Sequence, residues 1–120
     1  MAEYLIVFND EWTGDNTMEE LDAKSRALRP LIADMTERGV LIFTGGLDDA
    51  FAPYSVDAAS GTPVFTDGPY VESKEHLGGF AVIDVVTEEE ARHWAGKIAE
   101  ACGWPQEVHR FQRHRERDAD

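Results

Sequence analysis

Three segments of this chain are apolar on successive residues, and they constrain the fold more than any other feature. "YLIVF" begins at Tyr4, "VLIF" at Val40 and "FAVI" at Phe80. A β-strand with one face in water alternates apolar and polar residues, whereas these segments present apolar side chains toward both faces of a sheet. Any fold for this chain must therefore cover both faces of its central strands.

Helical patterns separate these strands. Thr17 and Thr87 each precede an apolar stripe of helical period, with Glu20 and Glu90 three residues later as in a capping box. The first stripe holds Met18, Leu21, Leu28, Leu31, Ile32 and Met35, and the second holds Ala91, Trp94, Ala95, Ile98 and Cys102. Pro30 falls inside the first pattern, which predicts a kink there or two helices that meet there.

The order of these patterns defines a fold class. Strands are predicted at residues 3–8, 40–47, 78–86 and 106–111, with a hairpin before the third whose tip is Ser60–Gly61. The order β-α-β-hairpin-β-α-β predicts an α+β, ferredoxin-like split β-α-β sandwich with two helices on one face of an antiparallel sheet. The uncovered face needs a partner, and the simplest partner is a second copy related by a two-fold axis. We therefore predict a homodimer.

Length and charge limit the classes of partner. The 120 residues are expected to form a single domain at 1–112, followed by a polar C-terminal tail at 113–120. A net charge of −13 repels phosphate backbones and anionic lipid, so no nucleic-acid or membrane partner is predicted. No apolar run is long enough to span a bilayer, and the single Cys102 cannot form an internal disulfide. These features predict a cytoplasmic protein.

One segment carries a family resemblance. The stretch "TDGPYVESKEHLGGFAVIDV" resembles the signature of the YCII-related superfamily in its DGPF-domain branch, whose members typically read "DGPF-A-E-T-K-E-x-L-GGF-x-x-I-D". The matching positions are Asp67, Gly68, Pro69, Glu72, Lys74, Glu75, Leu77, Gly78, Gly79, Phe80, Ile83 and Asp84. Tyr70 replaces the Phe of the signature, and Ser73 replaces its Thr.

This resemblance implies a dimeric α+β barrel. It also implies a superfamily of small enzymes, in which a His–Asp pair is proposed as catalytic in some members and a dehydrochlorinase-type activity is assigned in a few. Genes of the DGPF branch often lie beside those of extracytoplasmic-function sigma factors. This chain has no histidine in or near its first strand, so no His–Asp pair is carried over. His76 falls at a position that the family fills variably.

The same segment concentrates charge beside turn-forming residues. Its simplest interpretation is a turn followed by a solvated loop, with surface ion pairs worth about 0–1 kcal/mol each. The functional interpretation makes Asp67, Glu72, Lys74 and Glu75 the polar wall of a partly apolar cleft. There the lysine would bind an anionic group or polarise a carbonyl while a carboxylate moves a proton.

Three functional hypotheses follow from that cluster. The first is cofactor-independent proton transfer, lyase-like or isomerase-like, on a small organic acid or lactone. The second is a non-catalytic module that senses a small molecule or binds a partner, including a sigma factor. The third is a purely structural turn that shapes the dimer. No phosphate-binding loop, nucleophile elbow or dinucleotide fingerprint is present, so no cofactor is predicted.

The remaining polar and glycine positions leave alternatives open. The pairs Gly45–Gly46 and Gly78–Gly79 at strand ends would leave room for a ligand or allow close packing between strands. Asp84 is either a strand-end cap or a pocket carboxylate. Cys102 is expected in the core. No two of the histidines (His76, His93, His109 and His114) have metal-ligand spacing on one helix, so no metal site is predicted. Trp12 and Tyr4 are candidates to line an apolar pocket, with a core role favoured for Tyr4.

Overall fold

The computed structural model describes residues 2–9, 14–48, 50–68 and 77–113, with the side chain of residue 77 excepted. The elements are β1 (Ala2–Asn9), α1 (Met18–Glu37), β2 (Leu41–Gly46), β3 (Tyr54–Asp57), β4 (Val64–Asp67), β5 (Leu77–Val85), α2 (Glu88–Cys102) and β6 (Glu107–Arg110). Each strand and helix predicted from the sequence is present, with ends that differ by one or two residues.

The main sheet has four strands in the order β2-β5-β1-β6, and every neighbouring pair is antiparallel. Strands β1 and β5 form its centre, where Tyr4 lies opposite Ile83 and Ile6 lies opposite Ala81. Strands β3 and β4 form a separate two-stranded sheet. This strand order, with two helices connecting the strands of one antiparallel sheet, confirms the predicted α+β, ferredoxin-like fold.

The hydrophobic core lies between the main sheet and the two helices. Its fully buried side chains are Ile6, Met35, Ile83 and Val85. The predicted stripe of α2 is buried at all five positions. The predicted stripe of α1 is wrong at Met18, the first residue of the helix, which is 74% exposed.

Capping fixes where the helices begin. The Thr17 hydroxyl accepts a hydrogen bond from the backbone N–H of Glu20 at 3.1 Å, and Thr87 accepts one from Glu90 at 3.2 Å. Helix α1 continues through Pro30 as one helix, so the alternative of two helices is wrong. Pro30 is exposed, which lets water satisfy the carbonyl that loses its N–H partner.

The sheet face opposite the helices, called the open face below, carries the alternate side chains of each strand. Strand register places these residues on it: Glu3, Leu5 and Val7 of β1, Phe43 of β2, Phe80, Val82 and Asp84 of β5, and Glu107 and His109 of β6. No helix in the described part of the chain packs on this face. The molecule measures 48 × 45 × 20 Å, a thickness that suits one sheet and one helical layer.

The β3–β4 hairpin carries aromatic side chains on its surface. Tyr54 contacts Phe51 with ring centroids 6.4 Å apart and Phe65 at 6.1 Å, and all three are exposed. Gly61 has φ +98°, which confirms the predicted hairpin tip. A two-stranded hairpin is marginally stable by itself, so these ring contacts contribute to holding its strands together.

Candidate functional site

A cavity of about 520 Å³ lies between α1, the C-terminal end of α2 and the main sheet. Described residues that line it are Ile6, Phe8, Leu21, Lys24, Ser25, Leu28, Arg29, Ile32, Ala33, Thr44, Gly45, Gly46, Phe80, Ala81, Ile98, Cys102, Trp104 and Gln106. Its volume and its mostly apolar lining are those of a small-molecule site.

Small and polar residues explain why the core is open here. On α1, Lys24 and Ser25 occupy the turn between Leu21 and Leu28, so the apolar stripe is interrupted where it faces the sheet. On β2, Gly46 provides no side chain to fill the opposite wall, and a Cβ built there would meet nothing within 4 Å. The helix and the strand therefore lie apart without side chains between them.

Aromatic rings and one ammonium group form the end of the cavity near α2. Phe8 and Trp104 have ring centroids 4.9 Å apart. The Lys24 ammonium lies 4.9 Å from the centre of the Trp104 ring, within cation–π range, and donates a hydrogen bond to the backbone carbonyl of Cys102. These contacts fix an otherwise flexible lysine side chain at the cavity wall.

Lys24 also completes the C-terminus of α2. The last turn of α2 contains no basic residue, although the partial negative charge there favours one. Lys24 of α1 supplies that charge through its bond to the Cys102 carbonyl. Gly103 follows with φ +76°, and a Cβ built there would lie 3.1 Å from the Lys24 Nζ atom, so glycine lets the ammonium approach.

Two uncharged polar side chains of the cavity form hydrogen bonds within its walls. The Gln106 amide nitrogen donates to the Trp104 carbonyl at 3.1 Å and to the Cys102 sulfur at 3.4 Å. The Thr44 hydroxyl donates to the Phe80 carbonyl at 3.0 Å. Cys102 is 3% exposed, which confirms its expected place in the core. These hydrogen bonds hold the wall in position. The charged side chains of the described lining, Lys24 and Arg29, are its most distinctive chemical groups.

The glycine pairs differ in their surroundings, and the packing interpretation is confirmed at Gly79. A Cβ built on Gly79 would lie 2.8 Å from the Phe8 ring and 3.0 Å from the Gly45 carbonyl oxygen, so this glycine allows close packing between strands. Gly46 instead borders the cavity and leaves it open.

We expect Gly79→Ala to lower the free energy of unfolding by about 1–3 kcal/mol, since the added methyl overlaps the Phe8 ring and a backbone oxygen. Gly46→Ala is the matched control, because its methyl group meets nothing within 4 Å. Urea unfolding of both variants measures the difference. Equal stabilities would contradict the close approach at Gly79.

The residues predicted from the signature segment are mostly outside the described part of the chain. Glu72, Lys74 and Glu75 lie there, as does His76. Asp67 is described: it ends β4, is exposed, and is not among the described residues that line the cavity. The arrangement of Asp67, Glu72, Lys74 and Glu75 as the polar wall of a cleft stays a prediction.

A turn at Asp67–Gly68 is present. Gly68 has φ +92°, the left-handed region that favours glycine. Its N–H donates to the Pro53 carbonyl at 2.8 Å, and its carbonyl accepts from the Ser55 hydroxyl at 2.7 Å. The turn interpretation therefore accounts for Gly68.

The structure separates the other candidates from the cavity. Asp84 lies on the open face within β5, and its Oδ1 atom is buried without a hydrogen-bond partner among the described residues, so it fits neither the strand-end cap nor a wall of this cavity. His93 is exposed as expected, and His109 contacts Glu107 at 3.0 Å. Tyr4 is in the core, as favoured. Trp12 and His114 lie outside the described residues.

No metal centre emerges from the described ranges. Within residues 2–9, 14–48, 50–68 and 77–113, no group of three or more His, Cys, Asp or Glu side chains is placed to hold a metal ion. In the same ranges, no helix has the length and apolarity that crossing a membrane requires.

Sequence reasoning missed the residues that define this cavity, chiefly Lys24, Arg29, Trp104 and Gln106. A signal for Lys24 exists in the sequence, since it stands inside an apolar helical stripe where a core residue is expected. No comparable signal marks Trp104 or Gln106. They follow α2 in an irregular segment, and only the packing of that segment on β1 brings them to the cavity.

Fold and cavity together define a small α+β protein with a preformed pocket between its sheet and its helices. The chain matches the YCII-related domain family over residues 3–102, and it belongs to that family. Among solved structures it resembles 5-chloro-2-hydroxyhydroquinone dehydrochlorinase from Burkholderia phenoliruptrix AC1100, solved in complex with 2,5-dihydroxybenzoquinone. That likeness has a TM-score of 0.41 and 15% identity, and covers 95% of this chain and 97% of the other. No curated protein matches the chain.

Proposed function

We propose that this protein binds a small organic molecule in the cavity between α1 and the main sheet. The observation that carries the proposal is the cavity itself, about 520 Å³ of largely apolar space that side chains leave open. The cavity is accessible from solvent, because Ser25, Arg29, Ala33 and Gly46 of its lining are exposed. Clefts of this volume and apolar character are typical of small-molecule sites.

The proposed reaction is proton transfer without a cofactor, lyase-like or isomerase-like, on a small organic acid or lactone. Its proposed catalytic groups are Asp67, Glu72, Lys74 and Glu75 of the signature segment. The cavity has no carboxylate among its described lining residues, so a general base must come from elsewhere in the chain. The signature stretch begins in β4 and continues into β5, and Ala81 of β5 lines the cavity.

The alternative function is a non-catalytic module that senses a small molecule or binds a partner such as a sigma factor. The two functions differ in their response to Glu72→Gln, which keeps size and hydrogen bonding but removes the charged base. A binding module should keep its affinity largely unchanged. An enzyme that uses Glu72 as its base should lose turnover while it still binds ligand.

Blocking the cavity tests the binding proposal directly. We expect Gly46→Leu to abolish binding of 2-naphthamide, a neutral probe, because Gly46 lines the cavity and a Cβ atom there meets nothing within 4 Å, so the larger side chain can extend into the open space. Gly96→Leu is the matched control, since Gly96 is exposed on α2, away from the lining residues. Titration followed by the indole NMR signal of Trp104 reports binding at the cavity. Unchanged binding in Gly46→Leu would overturn the proposal, and so would the absence of any shift in the wild type with both 2-naphthamide and its acid, 2-naphthoate, at millimolar concentration.

We further propose that two copies associate through their open faces. Leu5 and Val82 are half-buried at the centre of this face, and Phe43 beside them is 57% exposed. A two-fold axis through that centre would set Leu5, Phe43 and Val82 against their equivalents in the other copy. The second copy would then cover the sheet face that the helices leave open. A dimer of this kind is the dimeric α+β barrel predicted for the fold.

Two broader expectations remain part of the proposal. Residues 1–112 would form a single domain with a polar tail at 113–120. The protein would act in the cytoplasm, without a nucleic-acid or membrane partner, which is consistent with its net charge of −13.

A further inference from the structure

We infer that the cavity selects an anion: its ligand is an amphiphilic monocarboxylate whose apolar body fills the cavity and whose charged head lies against Lys24. The inference rests on the proposed function, since it names the class of ligand for the same cavity. The inference assigns recognition of the charged head to Lys24, a residue outside the signature segment.

The charge of the cavity differs in sign from the charge of the chain. The sequence has 24 Asp and Glu residues against 11 Lys and Arg residues. Among the described residues that line the cavity, the charged ones are Lys24 and Arg29, and none is a carboxylate. In a protein whose general field repels anions, a described lining whose charged residues are both cations is a local exception. An anionic ligand is stabilised there and would be repelled by most of the remaining surface.

Lys24 keeps its charge available to a ligand. Its described partners are the Cys102 carbonyl and the face of the Trp104 ring, and neither carries a formal negative charge. An ammonium group has three N–H donors, and the carbonyl accepts one of them. The cation is therefore held in place without being neutralised, and it can donate to a carboxylate that enters the cavity.

The rest of the lining determines the shape of the ligand. Apolar side chains from both layers surround the space, and these are Ile6, Phe8, Leu21, Leu28, Ile32, Ile98 and Trp104. Burying the body of a ligand against them contributes about 25 cal/mol per Å² of apolar surface. A small polar anion such as acetate lacks that contribution, and a neutral apolar molecule lacks the contact with Lys24. An amphiphilic monocarboxylate has both.

Lys24 also has a structural role at the end of α2, so loss of affinity alone would not establish recognition. The decisive quantity is the ratio of affinities for an acid and its neutral isostere, because structural loosening weakens both. 2-Naphthoate is ionised at pH 7, and 2-naphthamide has nearly the same shape without charge. We expect wild-type protein to bind naphthoate at least about tenfold more tightly, which corresponds to about 1.4 kcal/mol.

Variants of Lys24 separate the effect of its charge on ligand affinity from its structural role at the end of α2. Lys24→Gln should reduce the preference for naphthoate to about onefold, and Lys24→Arg should largely restore it because the cation is retained. Lys97→Gln is the matched control, since Lys97 is an exposed lysine of α2 outside the cavity lining, and it should leave the preference unchanged. Isothermal titration calorimetry measures each affinity, and the Trp104 indole signal verifies the site.

The possible outcomes distinguish this inference from the proposed function. Equal binding of acid and amide, both abolished by Gly46→Leu, would overturn anion selection and leave the ligand cavity standing. A preference for naphthoate that persists in Lys24→Gln would overturn the role of Lys24. Failure of both probes to bind at the cavity would overturn both proposals. A preference that disappears in Lys24→Gln and returns in Lys24→Arg supports the inference.

Discussion

Val82→Asp should convert the proposed dimer to a folded monomer. Val82 lies at the centre of the open face, opposite Leu5 of β1 and Phe43 of β2. A two-fold interface would bury the new carboxylate in both copies, and an unpaired buried charge costs several kcal/mol. Since each 1.4 kcal/mol changes the dissociation constant tenfold, we expect weakening by at least about a hundredfold. Sedimentation velocity over a range of protein concentrations measures the change.

The matched control for this result is Val86→Asp. Val86 directly follows β5 and is 66% exposed, so the same substitution there should leave association unchanged. Circular dichroism must show that Val82→Asp remains folded. A wild-type protein that sediments as a monomer, or a Val82→Asp variant that remains dimeric, would show that the open face is not the interface between copies.

The sequence was sufficient to predict the fold because its local signals agree with one another. The capping boxes at Thr17 and Thr87, the five-residue stripe of α2 and the turn glycine at position 61 all indicate the boundaries that the structure has. The errors are local ones. Met18 continues the helical period, yet it is 74% exposed, because an apolar stripe does not specify how much of a helix is covered by the rest of the fold.

The cavity could not be predicted in the same way, since it depends on which distant residues meet. The interruption at Lys24 in the stripe of α1 is visible in the sequence, but its partner Trp104 is 80 positions away. The bond from Lys24 to the Cys102 carbonyl likewise joins two helices through a backbone atom that no side-chain pattern reveals. A charged residue inside an apolar helical stripe is therefore the one sequence signal that indicated this cavity.

The signature segment differs from the cavity in this respect. Its charged residues are easily identified in the sequence, but their chemical role depends on where the fold places their side chains. Gly68 is explained by its positive φ and two hydrogen bonds, and Gly79 by its contact with Phe8. Those two glycines therefore need no catalytic explanation. Glu72, Lys74 and Glu75 lie outside the described residues, and Asp67 is exposed at the end of β4. Their roles in proton transfer stay a proposal.

Ile83→Ala should destabilise the protomer strongly, with a loss of about 2–5 kcal/mol in the free energy of unfolding. Ile83 is fully buried at the centre of β5, where it lies opposite Tyr4 on one neighbouring strand and Leu41 on the other. Truncation removes apolar contacts and leaves a void in the layer between sheet and helices. Urea unfolding at one fixed protein concentration measures the loss, since the proposed dimerisation would make apparent stability depend on concentration.

Val86→Ala provides the comparison for this substitution, because Val86 lies three residues farther along the chain but is largely exposed. Its effect should remain within about 0.5 kcal/mol. The two substitutions together test which layer stabilises the protomer. If Ile83→Ala cost no more than Val86→Ala, the helix-covered face would not be the core, and the assignment of the open face as the interface between copies would fail with it. A large loss at Ile83 combined with a folded, monomeric Val82→Asp would establish that neighbouring residues of one strand serve two different layers, the protomer core and the dimer.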